Sequence, residues 1–152
     1  MSAKLYFHYG CVSAGKSTAL LQVARNYSDR GLWAAIFVPE VACASGVVRS
    51  RIGIEAPATS LPPSGSIIDA VGISDGPDPS VVLVDEAQFL TSEQVRQLTV
   101  LVDALHVPVL CYGLRVDFRG DLFAGSSALL AVADKIAEIR TICARRACAS
   151  KA

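Results

Sequence analysis

Short apolar runs alternate with amphipathic stretches along most of this chain. Residues 4–9 and 33–38 are β-prone runs, and residues 16–30 between them carry apolar side chains at helical spacing. Gly31 follows at the position of a helix C-cap glycine. The first third of the chain is therefore predicted to form a strand, a loop, a helix and a second strand.

The alternation resumes after a long connection. Residues 39–80 are rich in Pro, Gly and Ser, and they predict an irregular segment with one short strand near residues 66–70. Residues 81–84, Val-Val-Leu-Val, are typical of a fully buried strand. The remaining predicted elements are a helix that Thr91 caps, with apolar positions Val95, Leu98, Val102 and Leu105, a strand at 107–112, a helix at 126–133 and a strand at 135–143.

This order of elements predicts an α/β fold. Strands that alternate with helices favour a mostly parallel sheet with flanking helices, and ligands bind such sheets at the carboxyl ends of the strands. The chain has 152 residues, which suits one compact domain with a real core. We therefore expect functional residues in the loops that follow strands.

Composition narrows the classes of partner and compartment. Lys plus Arg and Asp plus Glu number 14 each, so the formal charge of zero gives no support to a nucleic-acid partner or an anionic membrane. Charged residues interrupt the apolar runs before they reach the length of about 20 residues that a membrane span needs. No secretory signal is visible, and five cysteines do not suggest a disulfide framework, so we expect a cytoplasmic protein.

The sequence GCVSAGKS follows the first predicted strand and opens the first predicted helix. Its glycines allow backbone N–H groups to surround phosphate oxygens, and the helix N-terminus favours the same anion. Lys16 adds a charge near the β and γ phosphates of ATP, and the Ser17 hydroxyl is placed for Mg²⁺. The predicted nucleotide-binding residues of this loop are Gly10, Cys11, Val12, Ser13, Ala14, Gly15, Lys16, Ser17 and Thr18.

Two carboxylates, Asp85 and Glu86, end the buried strand at 81–84. Neighbouring strand residues point to opposite sides, so the two side chains address the same atom only if the chain bends there. Asp85 is expected to anchor the magnesium shell, and Glu86 is left to accept a proton from the attacking nucleophile. Motor ATPases also end this strand in Asp-Glu and use the Glu to orient water, which leaves the nucleophile open.

The stretch YGLRVDFRGDLF begins at the end of the predicted strand 107–112. Arg115 and Arg119 are suited to stabilising phosphoryl charge, and the aromatic residues are suited to stacking on a flat base. A surface loop with internal Arg–Asp pairs explains the same residues equally well.

These motifs together resemble the type II thymidine kinases. The resemblance covers most of residues 4–143 and rests on GCVSAGKST, DEAQF and CYGLRVDFRGDLF in this order. It implies ATP-dependent transfer of the γ-phosphate to the 5′-hydroxyl of thymidine, with Glu86 as the base. It also implies that the nucleoside pocket is lined by Phe89, Leu114 and Phe118 and that its edge is shaped by Phe123 and Gln88. We also count Gln88, together with Asp85, among the predicted nucleotide-binding residues.

The sequence departs from this family's pattern at two places. The Asp-x-Arg pair that the family places after the second strand is missing from residues 39–44. We therefore expect the loss of a charged contact to the phosphates or of a loop anchor, and only Arg49 and Arg51 stand nearby to compensate. The family also binds a structural zinc that ties down a lasso-like loop, but only Cys143 stands at a ligand position here. We therefore expect no structural zinc, a kinase domain at residues 1–143 and a short tail at 144–152 without the lasso.

Two readings of function follow from the sequence. The first is a thymidine kinase that uses ATP and Mg²⁺ and, by family resemblance, forms a homotetramer. The alternative is an ATP-binding regulatory module or a partner-driven ATPase that has lost nucleoside phosphorylation.

Overall fold

The computed structural model describes residues 2–72 and 76–141. Its main feature is a six-stranded sheet in the order β5-β2-β6-β7-β1-β8, in which every neighbouring pair is parallel. A separate antiparallel pair, β3 and β4, forms a small hairpin. The strands are β1 Leu5–Tyr9, β2 Ala34–Pro39, β3 Val47–Arg49, β4 Glu55–Pro57, β5 Thr59–Leu61, β6 Val81–Val84, β7 Val109–Gly113 and β8 Lys135–Glu138.

Helices cover both faces of the large sheet, which confirms the predicted α/β class. They are α1 Lys16–Ser28, α2 Ile67–Gly72, α3 Ser92–Leu105 and α4 Ala124–Val132. Val82 and Val84 of β6 join a core with α3 and α4, whereas Val81 and Leu83 join a second core with α1. Because side chains alternate along a strand, a strand buried on both faces is apolar throughout, as β6 is.

Strand β7 lies between β1 and β6. The phosphate loop follows β1 and the Asp85-Glu86 pair follows β6, so the loop after β7 lies between these two motifs at the same edge of the sheet. This arrangement brings together the ends of three strands that are far apart in the sequence.

The connection between β2 and β6 is more ordered than its composition predicts. The prediction of a strand near residues 66–70 is wrong, because this segment forms the helix α2. Ile67 and Val71 are buried one helical turn apart, and the Ser66 hydroxyl accepts a hydrogen bond from the N–H of Asp69. Three strands of three residues each, β3, β4 and β5, were also missed, since so short a run carries no readable periodicity.

Smaller differences concern element boundaries. Helix α1 ends at Ser28, and Gly31 adopts its positive φ of 70° beyond the helix C-cap at Asp29. Leu105 is exposed, whereas Leu101 packs in the core. Strand β8 ends at Glu138, earlier than predicted, and residues 142 and 143 of the predicted strand lie outside the described residues.

In the described part of the chain, no helix combines the length and apolar character that crossing a bilayer requires.

Thr91 caps α3 as predicted, and a reciprocal contact strengthens the cap. Its hydroxyl accepts from the N–H of Gln94 at 3.1 Å, and the Gln94 side chain accepts from the N–H of Thr91 at 3.0 Å. The Gln94 amide also donates to the carbonyl of Pro62 at 2.9 Å. The cap therefore joins the start of α3 to the loop that follows β5.

We expect Thr91→Ala to lower the free energy of unfolding by about 1 kcal/mol, because it leaves an N-terminal N–H of α3 without its acceptor. Thr99→Ala, within the same helix, is the matched control, since Ala is a better helix former at an interior position. Urea denaturation measures both variants. Equal stability of the two variants would contradict the role of the cap.

Candidate active site

The phosphate loop joins β1 to α1. Gly15 at the start of α1 has φ 84°, a left-handed conformation that favours glycine, and Ser13 adopts φ 69°. The Lys16 ammonium donates to the carbonyl of Cys11 at 2.6 Å and is 9% exposed. The loop thus folds around its own lysine.

Ser17 and Asp85 connect the phosphate loop to the end of β6. The Ser17 hydroxyl donates to Asp85 Oδ2 at 2.9 Å, and Asp85 is 5% exposed. Burial raises the pKa of Asp85, and the hydrogen bond from Ser17 partly opposes this shift. A hydroxyl and a carboxylate oxygen at this separation are the donor types that Mg²⁺ prefers.

Burial shifts the pKa of Lys16 and the pKa of Asp85 in opposite directions, and in each case it disfavours the charged form. Burial lowers the pKa of Lys16, whereas the nearby charges of Glu86 and Asp85 act to raise it. In the folded chain, both charged forms therefore carry a desolvation cost. A bound anion beside Lys16 and a bound cation beside Asp85 would each offset part of that cost.

Glu86 lies at a bend of the backbone. Its φ of 51° and ψ of 40° are left-handed, which is uncommon for a residue with a side chain. The bend ends the strand geometry that would have turned Glu86 away from Asp85. The condition stated from the sequence, that the two carboxylates share a site only if the chain bends, is met.

Gln88 links the ends of β6 and β7. Its amide nitrogen donates to Glu86 Oε2 at 2.5 Å, and its amide oxygen accepts from the N–H of Leu114 at 3.1 Å. Gln88 is buried, so both polar ends of its side chain are satisfied within the protein. The Leu114 carbonyl in turn accepts a hydrogen bond from the hydroxyl of Ser126 in α4.

Two cavities open at this edge of the sheet. The first, which we call the P-loop cavity, has a volume of ≈ 410 Å³. It is lined by one side of the phosphate loop, by Glu86, and by the turn between β3 and β4. Its lining residues are Val12, Ser13, Gly15, Lys16, Ser17, Thr18, Arg49, Arg51, Ile52, Glu86 and Leu114.

The second, the aromatic cavity, has a volume of ≈ 460 Å³. It lies between the end of β1 and the loop after β7. Its lining residues are Tyr9, Gly10, Cys11, Val12, Leu114, Arg115, Val116, Asp117, Phe118, Phe123 and Glu138. Val12 and Leu114 line both cavities, so these two apolar side chains stand where the cavities meet.

The aromatic residues predicted from the sequence occupy different positions around this second cavity. Phe123 and Phe118 line it, but Phe118 is 93% exposed. Phe89 meets Phe123 edge-on, with ring centroids 5.6 Å apart. Phe89 is therefore not among the residues that line the aromatic cavity, and it contacts one of them, Phe123.

Each cavity is lined by at least one arginine, but Arg119 lines neither. Arg115 lies over the ring of Tyr9, with 5.1 Å to its centroid, and lines the aromatic cavity. Arg119 lies 5.2 Å from the centroid of the Phe118 ring. Arg49 and Arg51 line the P-loop cavity instead. In the sequence, these are the arginines left to compensate for the missing Asp-x-Arg pair. The hairpin was not predicted, and Ser50 and Gly53 are its local turn signal.

The model of the family described as Thymidine kinase matches residues 3–152 of this chain. The chain belongs to the thymidine kinase family. This confirms the resemblance found in the sequence, and it covers the three motifs that surround the two cavities.

Two similar proteins carry the name of the same family. A thymidine kinase of Xanthomonas campestris pv. campestris (strain 8004) is 51% identical over 146 residues, which are 93% of this chain and 69% of the relative. The thymidine kinase of Escherichia coli (strain K12) is 48% identical over 144 residues, with 93% and 70% covered.

A solved structure, that of the Pif1 helicase from Candida albicans, resembles the fold with a TM-score of 0.52. It covers 90% of this chain and 36% of the helicase, at 15% sequence identity, and therefore supports the P-loop NTPase-like architecture alone.

One prediction about the thymidine kinase pattern falls outside the described residues. Cys143, which stands at a zinc-ligand position, lies beyond residue 141, as does the tail at 144–152. The absence of a structural zinc therefore stays a prediction.

Gly113 at the end of β7 leaves room for Gln88. A Cβ atom at this position would lie 2.6 Å from Gln88 Oε1 and 3.1 Å from its backbone nitrogen. In this member of the thymidine kinase family, we expect Gly113→Ala to lower the free energy of unfolding by about 1–3 kcal/mol through overpacking.

Gly72→Ala is the matched control for Gly113→Ala, because among the described residues outside its own helix backbone a Cβ there meets no atom within 4 Å. Urea denaturation of both variants checks the expectation. If Gly113→Ala were no less stable than Gly72→Ala, the close packing of Gln88 against β7 would be refuted.

Proposed function

We propose that this chain is an ATP-dependent thymidine kinase that transfers the γ-phosphate of ATP to the 5′-hydroxyl of thymidine. One observation carries the proposal: the P-loop cavity and the aromatic cavity meet at Val12 and Leu114, with Glu86 on the wall of the first. A triphosphate in one cavity and a nucleoside in the other would bring donor and acceptor together at that junction. Membership of the thymidine kinase family supports the assignment of substrates.

ATP is assigned to the P-loop cavity. Lys16 and the loop from Val12 to Thr18 would hold the phosphates, and the helix N-terminus of α1 would favour their charge. Gly10 and Cys11, which the sequence also predicted to bind the nucleotide, line the aromatic cavity instead. The oxygen pair of Ser17 and Asp85 fits Mg²⁺, which when bound neutralises charge on the phosphate oxygens. The hydrogen bond between these two oxygens means that the donors are already adjacent in the folded chain.

Thymidine is assigned to the aromatic cavity. Phe118 and Phe123 offer ring faces or edges to a pyrimidine, Leu114 offers an apolar wall, and Phe89 supports Phe123 from its edge. The exposed Phe118 is free to move against a bound base, since it gives up little packing when it does so. Gln88, which we assigned to the nucleotide set, would act in this proposal through its hydrogen bonds to Glu86 and Leu114.

Glu86 is the proposed base. The 5′-oxygen of thymidine forms a bond to the γ-phosphorus while the bond from that phosphorus to the β,γ-bridging oxygen breaks. The proton of the hydroxyl passes to the Glu86 carboxylate, and ADP leaves with the bridging oxygen. The hydrogen bond from Gln88 holds the carboxylate in one orientation, which lowers the entropy cost of aligning it.

The proposal also includes the domain bounds, the cellular compartment and the oligomeric state. We assign the kinase domain to residues 1–143 and expect a cytoplasmic homotetramer without a nucleic-acid partner. The neutral formal charge supports the last point. Leu32, Trp33 and Ile54, which are partly exposed around a groove between α1 and the β3–β4 hairpin, support contact between copies.

We expect the chain, incubated with ATP, Mg²⁺ and each deoxynucleoside in turn, to form monophosphate from thymidine. Chromatography separates the monophosphate, and a phosphate assay measures hydrolysis in the same sample. Free phosphate without monophosphate would identify an ATPase instead, and ATP binding with neither product would identify a binding module.

Glu86→Gln should lower the rate of monophosphate formation by about 10²–10⁴-fold, because the amide cannot accept the hydroxyl proton. Affinity for ATP should change little. Glu93→Gln, on the exposed start of α3, is the matched control for the loss of one carboxylate. Unchanged turnover in Glu86→Gln would show that another group, or water, takes the proton.

A further inference from the structure

The positive charges on the P-loop cavity differ in what they are bound to. Lys16 is buried and donates to a carbonyl of its own loop. Arg49 is held by Glu55, whose Oε2 lies 2.8 Å from both Nε and Nη2 of the guanidinium. Arg51 forms no ion pair with a carboxylate among residues 2–72 and 76–141. Its charge is the one on this cavity that an incoming anion would meet without displacing a partner.

Arg51 stands on a fixed support. The turn between β3 and β4 is closed by hydrogen bonds from the N–H of Ser50 to the carbonyl of Ile54 at 2.8 Å and from the N–H of Ile54 to the Ser50 hydroxyl at 3.2 Å. Ser50 is buried, and Val48 of β3 packs into the core on the side of α1. The backbone at Arg51 is therefore held in place by the fold, and the conformational freedom of this residue lies in its side chain.

Arg51 and Lys16 also repel each other across the cavity. Burial is the main reason that the pKa of Lys16 is lowered, and the charge of Arg51 lowers it further. The Glu86 carboxylate on the same cavity offsets part of this repulsion, since its charge acts to raise the pKa of Lys16. A multiply charged anion in that space would convert the repulsion into two attractions.

We propose that Arg51 is a further catalytic residue of this kinase, which pairs with the terminal phosphate of ATP and stabilises it during transfer. This inference rests on the proposed function for the transfer step, but its contact with the terminal phosphate is independent of the acceptor. A planar guanidinium can hold two oxygens of one phosphoryl group through two parallel hydrogen bonds, a fixed geometry that a lysine ammonium does not offer. The charge that spreads over those oxygens as the bond to ADP breaks is what such a group stabilises.

The test compares ATP with ADP, which differ only in the terminal phosphate. We expect Arg51→Ala to lower the ratio of ATP affinity to ADP affinity at least 10-fold, measured by calorimetry with Mg²⁺ and without thymidine. Monophosphate formation should fall by about 10³-fold in kcat, the magnitude typical of arginines that stabilise phosphoryl transfer. Arg51→Lys should fall between Arg51→Ala and the unsubstituted chain in both measurements.

Arg96→Ala is the matched control, because Arg96 is an exposed arginine of α3 and its loss changes the net charge equally. It should leave both the affinity ratio and kcat within about 2-fold of the unsubstituted chain. Thermal unfolding of each variant shows that the compared proteins are folded.

Each outcome decides one point. An Arg51→Ala chain that keeps the original ATP to ADP ratio, or that loses affinity for both nucleotides equally, overturns the role of Arg51. An unsubstituted chain that forms no monophosphate overturns the proposed function, while the affinity ratio still decides whether Arg51 contacts the terminal phosphate.

Discussion

Burial of both faces of a parallel sheet is the constraint on which the rest of this structure depends. Once all six strands run in one direction, every loop that follows a strand emerges at the same edge. The phosphate loop, the Asp85-Glu86 pair and the loop that begins at Leu114 follow β1, β6 and β7, which are neighbours in the sheet. The sheet itself therefore brings three distant segments of the sequence to one site.

Hydrogen bonds between the loops then fix their positions relative to one another. Ser17 is bound to Asp85, Gln88 is bound to both Glu86 and Leu114, and Ser126 is bound to Leu114. These side chains are mostly withdrawn from solvent, where an unpaired polar group would be costly. The network gives the edge of the sheet one preferred arrangement and holds the carboxylate of Glu86 beside the P-loop cavity.

Much of this could be predicted from the sequence, because the informative residues are consecutive. The phosphate loop and the DEAQF motif each lie within one short segment, and the strand β6 is apolar along its whole length. The hairpin of β3 and β4 was missed because its strands are three residues long, and α2 was mistaken for a strand because six residues show no decisive period. The positions of Arg49 and Arg51 on the P-loop cavity depend on that hairpin, and the turn residues Ser50 and Gly53 were its one local signal.

The two residues that line both cavities have a consequence for the distance between the bound substrates. Val12 and Leu114 are small or medium apolar side chains, and each touches both spaces. The thickness of this partition sets how near the contents of one chamber approach the contents of the other. Bulkier side chains at these two sites would lengthen the gap across which a chemical group must pass, so the size of two aliphatic residues bears on reactivity without a change in any charged group.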